Sequence, residues 1–247
     1  METEKRAGIS SFTLKLIAII TMTVDHASAI FSTFGVIYQG PEILGIPVWR
    51  IIGRIAFPIF AFMIAEGADR TRNIKKYIFR LAVFSLISEI PFDIAFWLKD
   101  PSQMIEFGYQ NVYFTLTLGL IAIALYKFFK EKNAAVIGYI TACVCAAAAF
   151  FLQTDYSWSG VLCIFIMYLA NGKSEPVRKT GIVIAAILPT FAFFDINSPE
   201  LFALLGLIPI FLYNGEKGRK INKYVFYAFY PVHLLLLRLI VFLVLGR

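Results

Sequence analysis

The sequence predicts an all-α fold: a polytopic transmembrane helical bundle of about nine spans, formed by a single integral-membrane domain over residues 1–247. Three observations favour this fold. Only 16% of the residues are charged, whereas a soluble domain carries about 25%. Hydrophobic residues make up 59% of the chain, and the mean hydropathy is +0.74. The apolar residues also form separate runs, several of them near the roughly 20 residues that cross a bilayer as a helix.

Nine apolar runs predict nine helices in chain order. The first run is too long for the hydrophobic region of a signal peptide and has no small-residue cleavage site, so we interpret it as the first span. The first five runs and the last are long enough to span a membrane. The sixth to eighth, of about 14 residues, are short for a span and are expected to be broken or flanked by protein. The predicted helices cover residues 12–34, 46–67, 78–98, 111–129, 134–152, 157–170, 181–195, 200–213 and 224–245.

Lysine and arginine residues occupy alternate connections between these helices. The other connections are almost free of cations, with Lys99 as the main exception. By the positive-inside rule, this alternation places the N-terminus in the cytoplasm and the C-terminus outside. Membrane orientation therefore accounts for the net charge of +7, and no nucleic-acid partner is expected. The basic clusters lie at residues 5–6, 70–80, 127–132, 173–179 and 217–223.

Ionisable side chains interrupt the apolar runs. At membrane depth each costs about 2.5–3.5 kcal/mol on insertion scales, so such groups usually line a cavity or a pathway. Both histidines, His26 and His233, belong to this set. Lys15 precedes His26 by eleven residues, almost three turns, so the two share a face of the first helix with Met22. Asp25 points about 100° away from that face. We predict a polar site in the middle and outer half of the membrane, with further members Arg50, Arg54, Glu89, Asp93, Asn111 and Tyr230.

Several of these residues also have a structural explanation. Arg50 can pair with a carboxylate simply to fix the packing of two helices. His233 can be a hydrogen-bonded core residue. For His26 we favour a functional role, because Asp25, two arginines and two carboxylates lie at similar depth. The basic cluster at 70–80 is a topology signal that can also bind phosphate. The three cysteines have neither metal-ligand nor disulfide spacing, and no metal is expected.

Six segments of the chain resemble the TraX family, integral-membrane proteins associated with N-terminal acetylation of conjugative pilin. The segments recur in the family's order and are spread over almost the whole chain. Two of them are Ser88-Glu-Ile-Pro-Phe-Asp93 and Phe226-Tyr-Ala-Phe-Tyr-Pro-Val-His233. The other four cover residues 14–26, 50–62, 111–119 and 155–162.

A looser resemblance extends to membrane acyltransferases of the acyltransferase-3 type. Their first helix carries a basic residue, ten intervening positions and a histidine. Lys15 and His26 fit this pattern, with lysine where those enzymes usually have arginine. Arg54 and the aromatic-rich run after it are similar to their second motif. This chain is much shorter than those enzymes, so the resemblance leaves a common fold open.

The resemblance implies transfer of an acetyl group from cytoplasmic acetyl-CoA to an acceptor in the membrane or at its outer face. The resemblance also implies that the chain is a multi-pass protein of the inner, or cytoplasmic, membrane. Such a reaction needs a base near the acceptor nucleophile and groups that stabilise the oxyanion of the thioester. We predict His26 as the base or as a transient acetyl carrier, with its imidazole oriented by Glu89 or Asp93. The predicted catalytic group is His26, Asp25, Glu89, Asp93 and His233.

Two further sets of residues are predicted to bind the substrates. The first set is predicted to bind the acceptor or to stabilise negative charge that develops in the reaction: Arg50, Arg54, Asn111 and Tyr230. The second set is predicted to bind the phosphate groups of CoA: Lys15, Arg72, Lys75, Lys76 and Arg80. Because His26 is far from this basic cluster, the pantetheine arm needs an internal channel.

The acceptor and two rival functions stay open at this point. The acceptor can be a peptide amine, as in pilin, or a glycan or lipid headgroup. One rival is a small proton-coupled transporter, in which buried His, Asp and Glu side chains relay protons; the absence of an inverted repeat counts against it. The other rival is a non-catalytic envelope-assembly protein, which would tolerate His26→Ala.

Overall fold

A computed structural model describes residues 7–36, 40–96, 108–192 and 199–246. In this part of the chain the fold is all-α apart from one small hairpin, and each of the nine predicted runs is helical. The second and eighth runs are each divided into two helices. The elements are α1 Ser11–Phe34, β1 Glu42–Ile43, β2 Ile46–Pro47, α2 Val48–Gly53, α3 Ala56–Arg70, α4 Ile74–Phe96, α5 Val112–Glu131, α6 Ala135–Phe151, α7 Ser157–Ala170, α8 Glu175–Ala192, a 3₁₀ helix Pro199–Gly206, α9 Leu207–Phe211 and α10 Lys223–Leu245.

Four helical segments in the described residues are long and apolar enough to cross a membrane. Three shorter apolar helices accompany them, at Ala135–Phe151, Ser157–Ala170 and Pro199–Phe211. The chain is therefore an integral membrane protein, while the count of nine spans stays a prediction. The predicted ends at 98 and 195, and the cations Lys5, Arg6 and Lys99, lie outside the described residues. The four long segments are Ser11–Phe34, Val48–Arg70, Val112–Glu131 and Lys223–Leu245.

Side-chain caps fix where the long helices begin. The first amides of a helix have no partner within it, and a serine or asparagine at the N-cap can accept their hydrogens. Ser10 caps α1 by accepting from the amide of Thr13 at 3.3 Å. Asn111 caps α5, and Asn222 caps α10 by accepting from the amide of Tyr224 at 3.1 Å. Each capping residue stands at the border that the apolar pattern predicts.

The predicted second helix, 46–67, is broken at Arg54 and Ile55. Pro58 has no amide hydrogen, so the carbonyl of Arg54 loses its donor four residues later. The amide of Ile55 donates to the carbonyl of Ile52 at 3.3 Å, three residues back, which tightens the chain at this point. The break therefore presents Arg54 at the junction between α2 and α3.

The core of the bundle lies around α5 and α7, which contact α3, α4, α6 and α8. Two glycines permit this close packing: a Cβ at Gly119 would come within 2.6 Å of the Ile164 side chain, and one at Gly160 within 2.6 Å of Thr115. Small residues at helix interfaces allow such approach in membrane proteins. On the outside, Val136 and Val144 of α6 are exposed, as expected for side chains that face lipid.

The basic connections of the chain meet at one end of the bundle. Arg70 Nη1 donates to the carbonyl of Gly215 at 2.6 Å. Lys127 Nζ donates to the carbonyl of Ala68 at 3.1 Å. The start of α1 lies at the same end, where the amide of Ser11 donates to the carbonyl of Glu216 at 2.8 Å. This arrangement agrees with the alternation of charge that predicts a cytoplasmic N-terminus.

The orientation of the bundle can be tested by labelling from one side. In a variant without the three native cysteines, Glu42→Cys and Lys217→Cys place thiols at exposed positions on the two ends. In sealed vesicles of known orientation, a membrane-impermeant maleimide is expected to label Lys217→Cys from the cytoplasmic side and Glu42→Cys from the other. Lys132→Cys serves as the matched control and should follow Lys217→Cys. Labelling of all three from the same side would contradict the topology.

Candidate active site

A cavity of about 590 Å³ is lined by five of the predicted site residues: Asp25, His26, Arg50, Arg54 and Tyr230. We call it the histidine cavity. Its polar lining combines a histidine, two arginines, three carboxylates and three tyrosines, mostly near α1, α2 and the 3₁₀ helix. Aromatic rings from α3 and α4 complete the wall. The histidine, arginine and carboxylate residues of this lining are His26, Asp25, Arg50, Arg54, Asp155 and Glu200.

Arg54 is the centre of a buried ion-pair network. Its guanidinium lies 2.5 Å from Asp25 Oδ2 on α1 and 2.5 Å from Glu200 Oε1 on the 3₁₀ helix. It also donates to the hydroxyl of Tyr156 at 3.4 Å. Arg50 pairs with the other oxygen of Asp25 at 2.9 Å, but 31% of its side chain is exposed against 11% for Arg54. Buried charges of this kind are stable only when they are paired.

Asp25 therefore serves the arginines rather than His26, in agreement with the 100° between the two side chains. Gly53 makes this contact possible, because a Cβ at that position would overlap with the Asp25 side chain. The Asp25 carboxylate therefore packs directly against α2 at Gly53, the residue before Arg54.

His26 contacts His233, the other histidine of the chain. His26 Nδ1 and His233 Nε2 are 2.8 Å apart, and His233 Nδ1 lies 3.0 Å from the carbonyl oxygen of Phe229. His233 is buried, whereas His26 is partly exposed to the histidine cavity. The sequence singled out both residues, but it assigned Glu89 or Asp93 to orient His26. In the structure His233 holds that position.

Pro231 prepares the position of His233 on α10. Because proline has no amide hydrogen, the carbonyl of Tyr227 lacks its helical donor. The hydroxyl of Tyr113 donates to this carbonyl at 3.1 Å. The contact ties α5 to α10 nearly two turns before His233. Next to it lies Tyr230, whose ring meets that of Tyr113 edge-on.

Asn111 and Glu89 form a separate contact between α4 and α5. The buried side chain of Asn111 accepts from the amide of Tyr113 at 3.0 Å and donates to the carbonyl of Ser85 at 2.9 Å and to Glu89 Oε2. Both of its amide hydrogens are thus engaged, which leaves none for an oxyanion. Asp93 is buried one turn beyond Glu89. None of these three predicted site residues is among those that line the histidine cavity.

Two acidic residues that line the cavity were not predicted as site residues, Asp155 and Glu200. Asp155 lies in the α6–α7 connection and accepts from the hydroxyl of Tyr109 at 2.8 Å. Burial raises the pKa of Asp155 to about 6, although the Tyr109 hydrogen bond opposes this shift. Glu200 stands at the start of the short predicted helix 200–213, where its position does not distinguish it from the other carboxylates of the connections. For Asp155 the signal was available, because it opens one of the segments that resemble TraX.

A second cavity, of about 480 Å³, lies at the basic end of the bundle. We call it the basic cavity. Lys15 and Arg80 of the predicted phosphate-binding set line it, whereas the exposed Arg72, Lys75 and Lys76 do not. Glu66 is the acidic member of the lining and pairs with Arg70 at 2.5 Å. The basic lining residues are Lys15, Arg70, Arg80, Lys217, Arg219, Lys220 and Lys223.

The two cavities share a wall. Four residues line both of them, and we call these the partition: Met22, Phe60, Val112 and Tyr230. The face of α1 predicted from the sequence runs across this wall, with Lys15 in the basic cavity, Met22 in the partition and His26 in the histidine cavity. Along the helix axis Lys15 and His26 are about 16 Å apart.

Comparison with known proteins gives one family and one relative. A family model described as "TraX protein" matches residues 10–241. The "Probable fimbrial assembly protein FimC, serogroup H1" of Dichelobacter nodosus is 32% identical over an alignment of 253 residues, gaps included. The alignment covers 94% of this chain and 96% of that protein. No solved structure matches the chain.

The ion-pair network predicts unequal effects of two arginine substitutions. Arg54→Met leaves Asp25 and Glu200 without their shared buried partner, and breaking such pairs costs about 3–5 kcal/mol. The matched control Arg50→Met removes one partly exposed contact and leaves Asp25 paired. Thermal unfolding in detergent is expected to show a large drop in Tm for Arg54→Met and a small one for Arg50→Met. Equal drops would refute the central position of Arg54.

Proposed function

The chain belongs to the TraX family of membrane proteins, and on this basis we propose that it is an inner-membrane acetyltransferase. In this proposal acetyl-CoA enters the basic cavity from the cytoplasm, and the acceptor enters the histidine cavity. The observation that carries the proposal is the shared wall between a cationic cavity and a cavity that holds a histidine.

The basic cavity suits the donor. CoA carries several phosphate groups, and arginine and lysine side chains bind phosphate through charge-assisted hydrogen bonds. Aromatic rings of the same cavity, such as those of Phe12, Tyr77 and Phe226, offer surfaces for the adenine ring. With the phosphates held near Arg80 and Lys220, the pantetheine arm extends along the face of α1 toward Met22. This path corresponds to the internal channel that we predicted for the pantetheine arm from the sequence.

The transfer step is proposed at the partition. The His26 imidazole accepts the proton of the acceptor N–H or O–H as the acceptor lone pair attacks the carbonyl carbon of the thioester. The C–S bond then breaks, the acetyl group stays on the acceptor, and CoA leaves as a thiolate that takes up the proton. Arg50, whose side chain is partly exposed, is the cation best placed to meet negative charge in this cavity. Arg54 is already bound on two sides by carboxylates.

We propose a pilin-like peptide amine as the first acceptor to test. The TraX family is linked to pilin acetylation, and the relative from Dichelobacter nodosus carries the name of a fimbrial assembly protein. A glycan or lipid headgroup is compatible with the same chemistry and belongs in the same screen.

The name of that relative also favours a second candidate function, a non-catalytic role in assembly. In that case the cavities would hold the bundle together without turnover, and His26→Ala would be tolerated. The two functions separate on donor binding, because an assembly protein has no need of acetyl-CoA.

Calorimetric titration of acetyl-CoA tests the donor site. The purified protein is expected to bind acetyl-CoA, and Arg80→Ala/Arg219→Ala/Lys220→Ala is expected to weaken binding by at least about ten-fold, since each lost charge-assisted bond costs about 1.5–3 kcal/mol. The matched control is a triple variant outside the cavity: Arg72→Ala/Lys75→Ala/Lys76→Ala.

Three outcomes of this titration have distinct meanings. A larger loss in the control variant would place the phosphates on the exposed cluster that the sequence suggested. No binding to folded wild-type protein would count against acetyl transfer altogether. A selective loss in the cavity variant supports the proposed route.

The partition can be closed by a single substitution. Met22→Trp inserts a large ring between the cavities, so acetyl-CoA binding is expected to persist while acetyl transfer to the acceptor stops. Ile20→Trp is the matched control, because Ile20 lies on the same helix but is 60% exposed on its outer side. Transfer at wild-type rate in Met22→Trp would show that the acetyl group does not pass this wall.

A further inference from the structure

We propose that His233 is a positioning residue that holds His26 in the Nδ1–H tautomer and leaves Nε2 of His26 as the basic atom in the cavity. The catalytic consequence of this arrangement rests on the proposed function, whereas the tautomer itself does not. Two contacts fix the tautomer: His26 Nδ1 lies 2.8 Å from His233 Nε2, and His233 Nδ1 lies 3.0 Å from the Phe229 carbonyl oxygen.

The chemistry of the Phe229 carbonyl sets the direction of both hydrogen bonds. A carbonyl oxygen only accepts, so the hydrogen of His233 is on Nδ1. A neutral imidazole carries one ring hydrogen, and Nε2 of His233 is therefore an acceptor. His26 must then donate from Nδ1, which leaves the lone pair of His26 on Nε2. The second ring nitrogen of a histidine is commonly fixed in this way by the partner of the first.

The surroundings of the pair favour neutral rings. His26 meets the rings of Phe96 and Tyr230 edge-on, with centroids 5.5 Å and 5.9 Å away. His233 stacks on Phe229 at 5.0 Å. The carboxylate of Asp25, the neighbour of His26 in the chain, is already paired with Arg50 and Arg54, so it offers His26 no counter-charge.

The same rings also restrict the orientation of both imidazoles. The planes of the two histidine rings are 13° apart, and those of His233 and Phe229 are 10° apart. Phe229 thus supplies both the acceptor for Nδ1 and the surface on which the ring of His233 lies. His26 cannot turn its Nδ1 into the cavity without losing the contact to His233. The cavity therefore meets the unprotonated Nε2 of His26.

For acyl transfer this arrangement resembles the use of a third group to orient a catalytic histidine. In serine proteases, loss of the correct tautomer lowers kcat by about four orders of magnitude while the geometry stays intact. His233 needs no charge for this purpose. It acts through His26 and does not touch the acceptor in the proposed reaction.

The composition of the chain makes the tautomer directly measurable, because His26 and His233 are its two histidines. Protein labelled with ¹⁵N-histidine gives two ring systems by NMR in detergent at neutral pH, and His26→Leu assigns them. The expected spectrum shows each ring protonated at Nδ1 and unprotonated at Nε2. A wild-type His26 ring protonated at Nε2 overturns the proposal, whatever the variants do.

Two variants of His233 extend the test. His233→Leu removes the acceptor, so the His26 resonances are expected to shift toward the Nε2–H tautomer. His233→Gln places an amide oxygen near the former Nε2 and is expected to restore the Nδ1–H form. Thermal unfolding of both variants serves as the control for folding. Unchanged His26 resonances in folded His233→Leu would overturn the proposal.

The kinetic arm measures thiol release from acetyl-CoA in the presence of a synthetic peptide with a free N-terminal amine. In His233→Leu, kcat is expected to fall by at least about 100-fold with KM for acetyl-CoA unchanged, and His233→Gln is expected to recover part of the loss. If the wild type shows the Nδ1–H tautomer but no turnover, the proposed function fails and the tautomer assignment stands. If the wild type turns over and His233→Leu is equally fast, the positioning role is refuted.

Discussion

The pairing of buried Arg54 with Asp25 and Glu200 is the constraint on which the site depends. An unpaired guanidinium or carboxylate inside an apolar bundle costs several kcal/mol, so α1, the α2–α3 junction and the 3₁₀ helix are held together at one point. The break beside Pro58 brings Arg54 to that point, and Gly53 leaves room for Asp25. One wall of the histidine cavity follows directly from these contacts.

A second feature gives the cavity its direction. One face of α1 carries a cation, a wall residue and a histidine in succession, from Lys15 through Met22 to His26. The helix therefore links an end of the bundle that is rich in lysine and arginine to a cavity that contains paired charges and a histidine. This polarity suits a donor and an acceptor that arrive from opposite sides, and it is compatible with the proposed reaction site far from the basic loops.

Much of the fold and part of the candidate site could be predicted from local sequence patterns. The other site residues depend on contacts between segments that are distant in the sequence. Apolar runs and the 3.6-residue period located the helices and the shared face of Lys15 and His26. Glu200 could not be found in this way, because it is 146 residues from Arg54. Asn111 suggested an oxyanion donor, but its amide caps α5 and binds Glu89. The basic cluster at 217–223 was interpreted as a topology signal alone, because its sequence does not indicate whether its side chains face water or a cavity.

An experimental structure of the protein with bound CoA tests the proposed route of the acetyl group most directly. We expect phosphate groups among Arg80, Lys217, Arg219 and Lys220, and a sulfur atom at the partition within reach of His26. CoA bound instead at the exposed residues Arg72, Lys75 and Lys76, with its sulfur directed away from Met22 and Tyr230, would contradict the proposed route of the acetyl group.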